Sequence, residues 1–333
     1  VTLLGASTLI GSNFLGCAER GENPVTVTVG TPPEGSGNYI LASNIAEMVT
    51  KYLPKGSSVD VIPTGGTAAE IKALDEDKID LASSGQQSTN YLAYNGMWPF
   101  EKAYTQLRAI AGKLSNLYFA TAVLKKTGIT SWEELIDEQY PIKFATFPKG
   151  STGIISLQYL LKTMGLSIDD LLSWGGKWYP AKPSDITTLF ADGKVEAFFH
   201  VIQKGHPLWT QLTSTYEFNY LPFPEKLESK IKEFRYDVGD IPASDEVWKN
   251  TLNGLDSDYH AILMYTEFFT TDKLPDNIAY TFAKAIAENR EAILKAFPAF
   301  EVYSPEDTWK EKYVGEPLHP GAERYYKEAG YMK

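Results

Sequence analysis

The sequence predicts an α/β protein built as two lobes in series and joined by two strands, and three observations predict it. Residues 25–82 alternate β-rich and helical runs in a β-α-β-α-β order. A second α/β unit follows over residues 142–199. Between the units lies a long apolar run at 117–124, and a late run at 260–269 can return beside it. Alternation of this kind gives a parallel sheet flanked by helices. Two such units joined by two strands make a hinge, with a cleft where the lobes face each other.

Each element has its own signal. Residues 25–30 alternate Val and Thr and end at Gly30, a strand pattern. Residues 38–52 place Ile40, Leu41, Ile45, Met48, Val49 and Tyr52 at helical spacing. A second strand is expected at 58–63, a helix at 67–75 and a third strand at 79–82. The second unit reads as strand 142–147, helix 153–164, helix 185–191 and strand 195–199. Residues 275–297 read as one long helix, with Pro275 in its first turn and a stripe of Ile278, Phe282, Ile286, Ile293 and Leu294. The lobes are expected to divide near Ala120 and Asp256. Residues 25–120 with 257–333 then form one lobe, and 121–256 the other.

Composition narrows the function classes. The chain has 333 residues, 43% hydrophobic and 22% charged, so it can bury a large core and is not of the disordered class. A formal net charge of -11 repels phosphate backbones, so nucleic acid is not an expected partner. Cys17 is the one cysteine, which excludes an internal disulfide and a zinc site of cysteine ligands. The sequence holds no Gly-x-Ser-x-Gly, His-Glu-x-x-His or Gly-x-Gly-x-x-Gly. Its histidines, His200, His206, His260 and His319, do not pair at metal-ligand spacing. No catalytic residue, metal or cofactor is expected.

Residues 1–17 carry no charge, and Glu19, Arg20 and Glu22 follow abruptly. This reads as the apolar part of an export signal, with 1–24 as signal remnant and linker. Phe14-Leu15-Gly16-Cys17 resembles a bacterial lipoprotein cleavage box, with Phe14 where Leu is usual. Lipidation of Cys17 and ordinary signal cleavage nearby both fit.

Ligands of α/β sheets sit at the carboxyl ends of strands, against helix N-termini. Four loops occupy such positions. The first, at 30–39, offers Ser36, Gly37, Asn38 and Tyr39, with helix capping by Ser36 as the competing role. The second is Thr64, Gly65, Gly66 and Thr67, either an anion nest or a tight turn capped by Thr67. The third, at 83–88, reads as a loop presenting Gln86. The fourth, at 148–153, offers Ser151, Thr152 and Gly153 at a helix start. It lacks the Gly-Lys-Ser/Thr ending of a nucleotide loop. His200 follows Phe198 and Phe199 at a strand end, facing the cleft or serving as a structural hydrogen-bonder.

Several stretches resemble one family. They are Thr64-Gly65-Gly66-Thr67-Ala68-Ala69-Glu70, Ile79-Asp80-Leu81-Ala82, Tyr91-Leu92-Ala93-Tyr94-Asn95-Gly96 and Leu107-Arg108-Ala109-Ile110-Ala111. To these add 148–153, 192–199 and, most specific, Leu318-His319-Pro320-Gly321-Ala322-Glu323-Arg324-Tyr325-Tyr326. Together they resemble the TAXI family, the extracytoplasmic binding subunits of some tripartite ATP-independent periplasmic (TRAP) transporters. The resemblance implies a type II periplasmic-binding-protein fold and a periplasmic or extracytoplasmic place. It implies a hinged receptor that passes a small organic acid or amino acid to TRAP permease membrane subunits, and a monomer is the default for a hinged receptor. Glutamate and 2-oxoglutarate-like dicarboxylates lead that ligand class. The binding positions it implies are Ser36, Gly37, Asn38, Tyr39, Thr64, Gly65, Gly66, Gln86, Ser151 and Thr152. The sequence departs from the family at Pro32 and Pro33, at Gln87-Ser88 where Ser-Asp is frequent, and at His200. An ATP-driven importer's binding protein and a ligand-presenting sensor remain open alternatives.

Overall fold

The computed structural model describes residues 23–32, 34 and 36–333. Cys17 and the signal-like segment up to Glu22 lie outside the described residues. The first half opens with β1 (Thr26–Thr31), α1 (Gly37–Thr50), β2 (Ser58–Pro63), α2 (Thr67–Asp75), β3 (Leu81–Gln86) and α3 (Gln87–Tyr94). β4 (Leu107–Ala111) and β5 (Asn116–Leu124) then lead out of it. The second half holds α4 (Trp132–Asp137), β6 (Lys143–Thr146), α5 (Thr152–Thr163), α6 (Ile168–Ser173), β7 (Lys177–Pro180), α7 (Pro183–Ala191) and β8 (Ala197–Ile202). It continues through α8 (Pro207–Thr215), β9 (Phe218–Tyr220), α9 (Glu228–Lys232), β10 (Asp237–Ile241) and α10 (Glu246–Thr251). The chain returns along β11 (Tyr259–Thr271) and closes with α11 (Asp276–Glu288), α12 (Arg290–Ala296) and α13 (Pro320–Glu328).

β11 joins the halves. Its last six residues pair antiparallel with β3 and β4, and its first seven with β10 and β5. In the first half β1 pairs parallel with β2 and β3. In the second, β6 pairs parallel with β7 and β8, and β8 runs antiparallel to β5. The chain therefore crosses once through β4 and β5 and returns through β11, with Phe119 opposite Ile262 and Asn116 opposite Tyr265. The pairing register shifts between Glu267 and Phe269, midway along the shared strand.

Apolar burial follows this plan. One core packs α1, α11, α12 and α13 around Val29, Phe268, Phe282 and Tyr326. The second half has two cores, around Phe144, Leu161 and Phe199 and around Phe198, Trp209 and Trp248. Fully burying one such side chain stabilises the fold by roughly 1.5–3 kcal/mol. The segment most specific to the family resemblance serves packing. His319 caps α13 by accepting the Gly321 N–H at 3.1 Å, and the Tyr326 hydroxyl donates to the Ile110 carbonyl at 2.9 Å. Gly321 sits against the backbone of Asp276, where a Cβ would collide.

Two expectations are corrected. The helix read over 275–297 is two helices, because Asn289 leaves helical geometry at φ -105, ψ 30. Its side-chain amide donates to the Ala285 carbonyl at 2.7 Å and the Tyr52 hydroxyl at 3.2 Å, the backbone competition typical of Asn inside a helix. The stretch 83–88 is not a loop. β3 runs on to Gln86 and α3 starts at Gln87, because β11 holds Gln86 opposite Thr266.

Candidate functional site

The site assembles where helix N-termini from both halves meet. Gly65 and Gly66 take φ of 108 and 116, a region that side chains with Cβ avoid. This turns the chain from β2 so that Thr67 opens α2. Thr67 does not cap its helix, since Gly66 stands at the cap and offers no side chain. Its hydroxyl donates instead to Gln86 Oε1 at 2.8 Å. Gln86, the last residue of β3, is buried. From the other half, Gly150 at φ 84 turns the chain into α5, and Thr152 is the first helical residue. The Thr152 hydroxyl donates to the same Gln86 Oε1 at 2.5 Å and lies 3.1 Å from the Thr67 hydroxyl. One amide oxygen thus accepts a hydroxyl from each half.

A second bridge lies beside it. Gln203, just past β8, donates from Nε2 to Asn38 Oδ1 at 3.2 Å and to Ser115 Oγ at 2.8 Å. Asn38 is in the first turn of α1, and Ser115 lies between β4 and β5. Gly37 makes this approach possible, because a Cβ there would stand 2.5 Å from Gln203 Oε1.

His200 forms a wall of the same region. Its ring lies 3.7 Å from the Phe147 ring, centroid to centroid, and against Gly153, where a Cβ would strike Nδ1. Burial holds its pKa well down, with nearby His206 as a second cause, so the imidazole is neutral. His200 Nδ1, Ser151 Oγ and Asn116 Oδ1 are buried without a hydrogen-bond partner. Buried polar atoms left unpaired are expensive unless something else satisfies them.

The groups named here are neutral hydroxyls, amides and an imidazole. Fixed positive partial charge comes from the N-termini of α1, α2 and α5, which suits an anionic oxygen. His200 Nδ1 bonds to neither Ser151 nor Thr152.

The expected site residues divide into two sets. Gln86, Thr152, Asn38, Gly37, Gly153 and His200 take part in the contacts above, and Ser151 lies at the α5 N-cap with its hydroxyl unpaired. The others serve their own loops. Ser36 caps α1 by accepting the Tyr39 N–H at 3.2 Å, the competing role considered for it. Thr64 donates to the Thr31 carbonyl at 3.0 Å and to Glu70 at 3.2 Å, while Gly65 and Gly66 form the turn. Thr67, read from the sequence as part of an anion nest or as a cap, donates to Gln86. Gln203, Ser115 and Asn116 were not singled out, although the strand-end rule that pointed to His200 would have pointed three residues further. A surface hollow between α7 and α8, near Thr187 and Gln211, has no comparable convergence.

Two α/β halves joined by a double crossing, with a polar cluster where they meet, make the fold that periplasmic solute-binding proteins share. The chain belongs to the NMT1-like family, whose model matches residues 29–330. It is similar in structure to MatC from Rhodopseudomonas palustris with bound malate, at 12% identity and a TM-score of 0.53, covering 83% of this chain and 88% of that one. It is also similar to Rpa4515 of R. palustris with adipate, at 17% identity and a TM-score of 0.51, covering 91% and 92%. A further match is the alkanesulfonate-binding protein SsuA from Xanthomonas axonopodis pv. citri bound to MOPS, at 14% identity and a TM-score of 0.47, covering 91% and 84%. Among the described residues, no helix is long and apolar enough to cross a membrane.

Proposed function

We propose that the protein is an extracytoplasmic receptor of the TAXI type that binds a small carboxylate between its lobes and delivers it to a TRAP-type permease. The observation that carries this reading is the Thr67–Gln86–Thr152 cluster, in which hydroxyls from both halves meet on one amide. A ligand oxygen entering there would exchange these contacts for its own, with the helix N-termini supplying charge complementarity. Malate in MatC and adipate in Rpa4515 are carboxylates held on the same fold. Gln87 is engaged elsewhere, accepting from the Tyr265 N–H at 2.7 Å and donating to the Arg235 carbonyl at 3.1 Å. With Gln87-Ser88 where the resembled family frequently has Ser-Asp, the reading favours a simple organic acid over an amino acid with its ammonium group.

In this proposal residues 25–120 and 257–333 form one lobe, 121–256 the other, and Cys17 is the lipid attachment point of a monomer. The test is a thermal-shift screen against mono- and dicarboxylates, keto acids, amino acids and sugars. The proposal expects stabilisation by carboxylates. At a hundredfold excess over Kd, mass action gives about 2.7 kcal/mol. Stabilisation by sugars alone would refute it.

A further inference from the structure

Behind Gln86, on the far side of β3, two carboxyl groups are buried together. Glu267 lies on β11 at the register shift, opposite Gly85 and next to the Thr266–Gln86 pair. Glu316 belongs to the segment 314–316, which crosses the first turn of α3. Both residues are buried. Asn90 of α3 donates to Glu267 Oε1 and stands 3.4 Å from Glu316 Oε1. The Gly315 N–H donates to Glu267 Oε2 at 3.1 Å, and the Asn90 amide, shared by both carboxyls, holds them side by side, while Glu316 Oε2 is buried without a hydrogen-bond partner. Gly315 is pressed so closely onto α3 that a Cβ would meet the Gln87 carbonyl and the Tyr91 amide. Segment 314–316 is thus a strap, fastened to the shared strand and to the helix that follows Gln86.

Two ionised carboxylates cannot share such a site, because their repulsion and desolvation both disfavour the second charge. Buried side by side on one amide, the pair is stable only when one carboxyl keeps its proton. The charged groups facing the pair are Arg235, acting on Glu267, and Arg108, acting on Glu316. Each is engaged with another acid, Arg235 with Glu311 at 3.2 Å and Arg108 with Asp272 at 3.4 Å. Neither neutralises the pair directly.

We propose that Glu267 and Glu316 form a proton-binding clasp, which holds the strap against β11 and α3 when it carries its proton and loosens the wall behind Gln86 when it loses it. The inference goes beyond the receptor reading and does not depend on any ligand. Burial pushes Glu267 up to about 8 and Glu316 well above its ordinary range. The folded state therefore holds a proton that the unfolded chain, with carboxyls near their ordinary value, has released. Stability from the clasp is complete below the unfolded value and is lost as pH rises toward and through the folded one. Each linked proton lowers the folding equilibrium constant up to tenfold per pH unit. The depressed histidines His200, His206 and His319 act with the opposite sign as pH rises past their ordinary value, and they are common to wild type and Glu316 variants, so the difference between the two isolates the clasp.

The experiment combines urea denaturation and hydrogen exchange from pH 6.5 to 8.5 on the wild type and Glu316→Gln. In the wild type the folding constant falls with pH, up to tenfold per unit for each proton held. Exchange protection of amides 87–91 and 315, corrected for intrinsic rate, falls with it. In Glu316→Gln neither falls, since the amide removes the second buried charge. Infrared spectroscopy of the wild type at pH 7 supplies a readout independent of the variant's folding, a buried carboxyl band of the protonated form. A flat wild-type profile, an equal decline in Glu316→Gln, or the absence of that band would overturn the proposal. So would recovery of stability at pH 8.5 on adding sodium or calcium chloride but not choline chloride, which would make the pair a cation site.

Discussion

Gly153→Ala tests the architecture of the site without a ligand. The new Cβ would strike His200 Nδ1, and the ring cannot retreat easily because it is buried and lies tilted against the Phe147 ring. Overpacking of this kind costs about 1–3 kcal/mol. Gly153 is the second residue of α5 and its φ is not positive, so alanine would otherwise gain roughly 0.5–1 kcal/mol there. With His200 shortened to Ala, the collision disappears and only this gain remains. A double-mutant cycle should therefore show coupling of about 1–3 kcal/mol, read by urea denaturation of the wild type, both single variants and the double. If Gly153→Ala costs the same in both backgrounds, His200 does not lie on Gly153, and this wall of the site is misplaced.

Other outcomes follow from the same geometry. Gln203→Leu, which removes the bridge to Asn38 and Ser115, should lower stability by about 1–3 kcal/mol in denaturation, because both partners are buried and lose their donor. Burial depresses His206 to about 4, so its stabilising contribution is complete above its ordinary value of 6.5 and is lost as pH falls from there toward 4. Relative to a His206→Gln variant, the wild type should lose up to ~3 kcal/mol over that interval, read by denaturation at matched pH. Lys204 joins Asp245 at 2.6 Å to Glu301 at 2.7 Å, one acid from each proposed lobe. Glu301→Gln should leave stability within about 1 kcal/mol, because Glu301 is half exposed, while making ligand affinity less salt-dependent.

The parts of the fold legible in sequence were those set by local pattern. β2 and α2 fall on the expected residues, since alternating Val59 and Val61 and the Gly-Gly turn act over a few positions. Features set by distant partners were not legible. β3 runs to Gln86 only because β11 pairs with it, and Asn289 breaks a helix whose apolar stripe continues across the break. The loops pointed to Gln86 and Thr152, but not to their meeting on one oxygen. Glu267 and Glu316 are separated by 49 positions and had no sequence signal, because their proximity comes from the strap crossing α3.

The most direct test of the receptor account is calorimetric titration of the wild type, Gln86→Ala and Thr152→Val with the carboxylate that gives the largest thermal shift. The account predicts one ligand per wild-type chain, recovered chemically unchanged. It predicts weaker binding in both variants, by roughly tenfold for each 1.4 kcal/mol of lost contact, with folding intact. Unchanged affinity in both variants would remove the Thr67–Gln86–Thr152 cluster from the binding site, and conversion of the ligand would contradict a receptor.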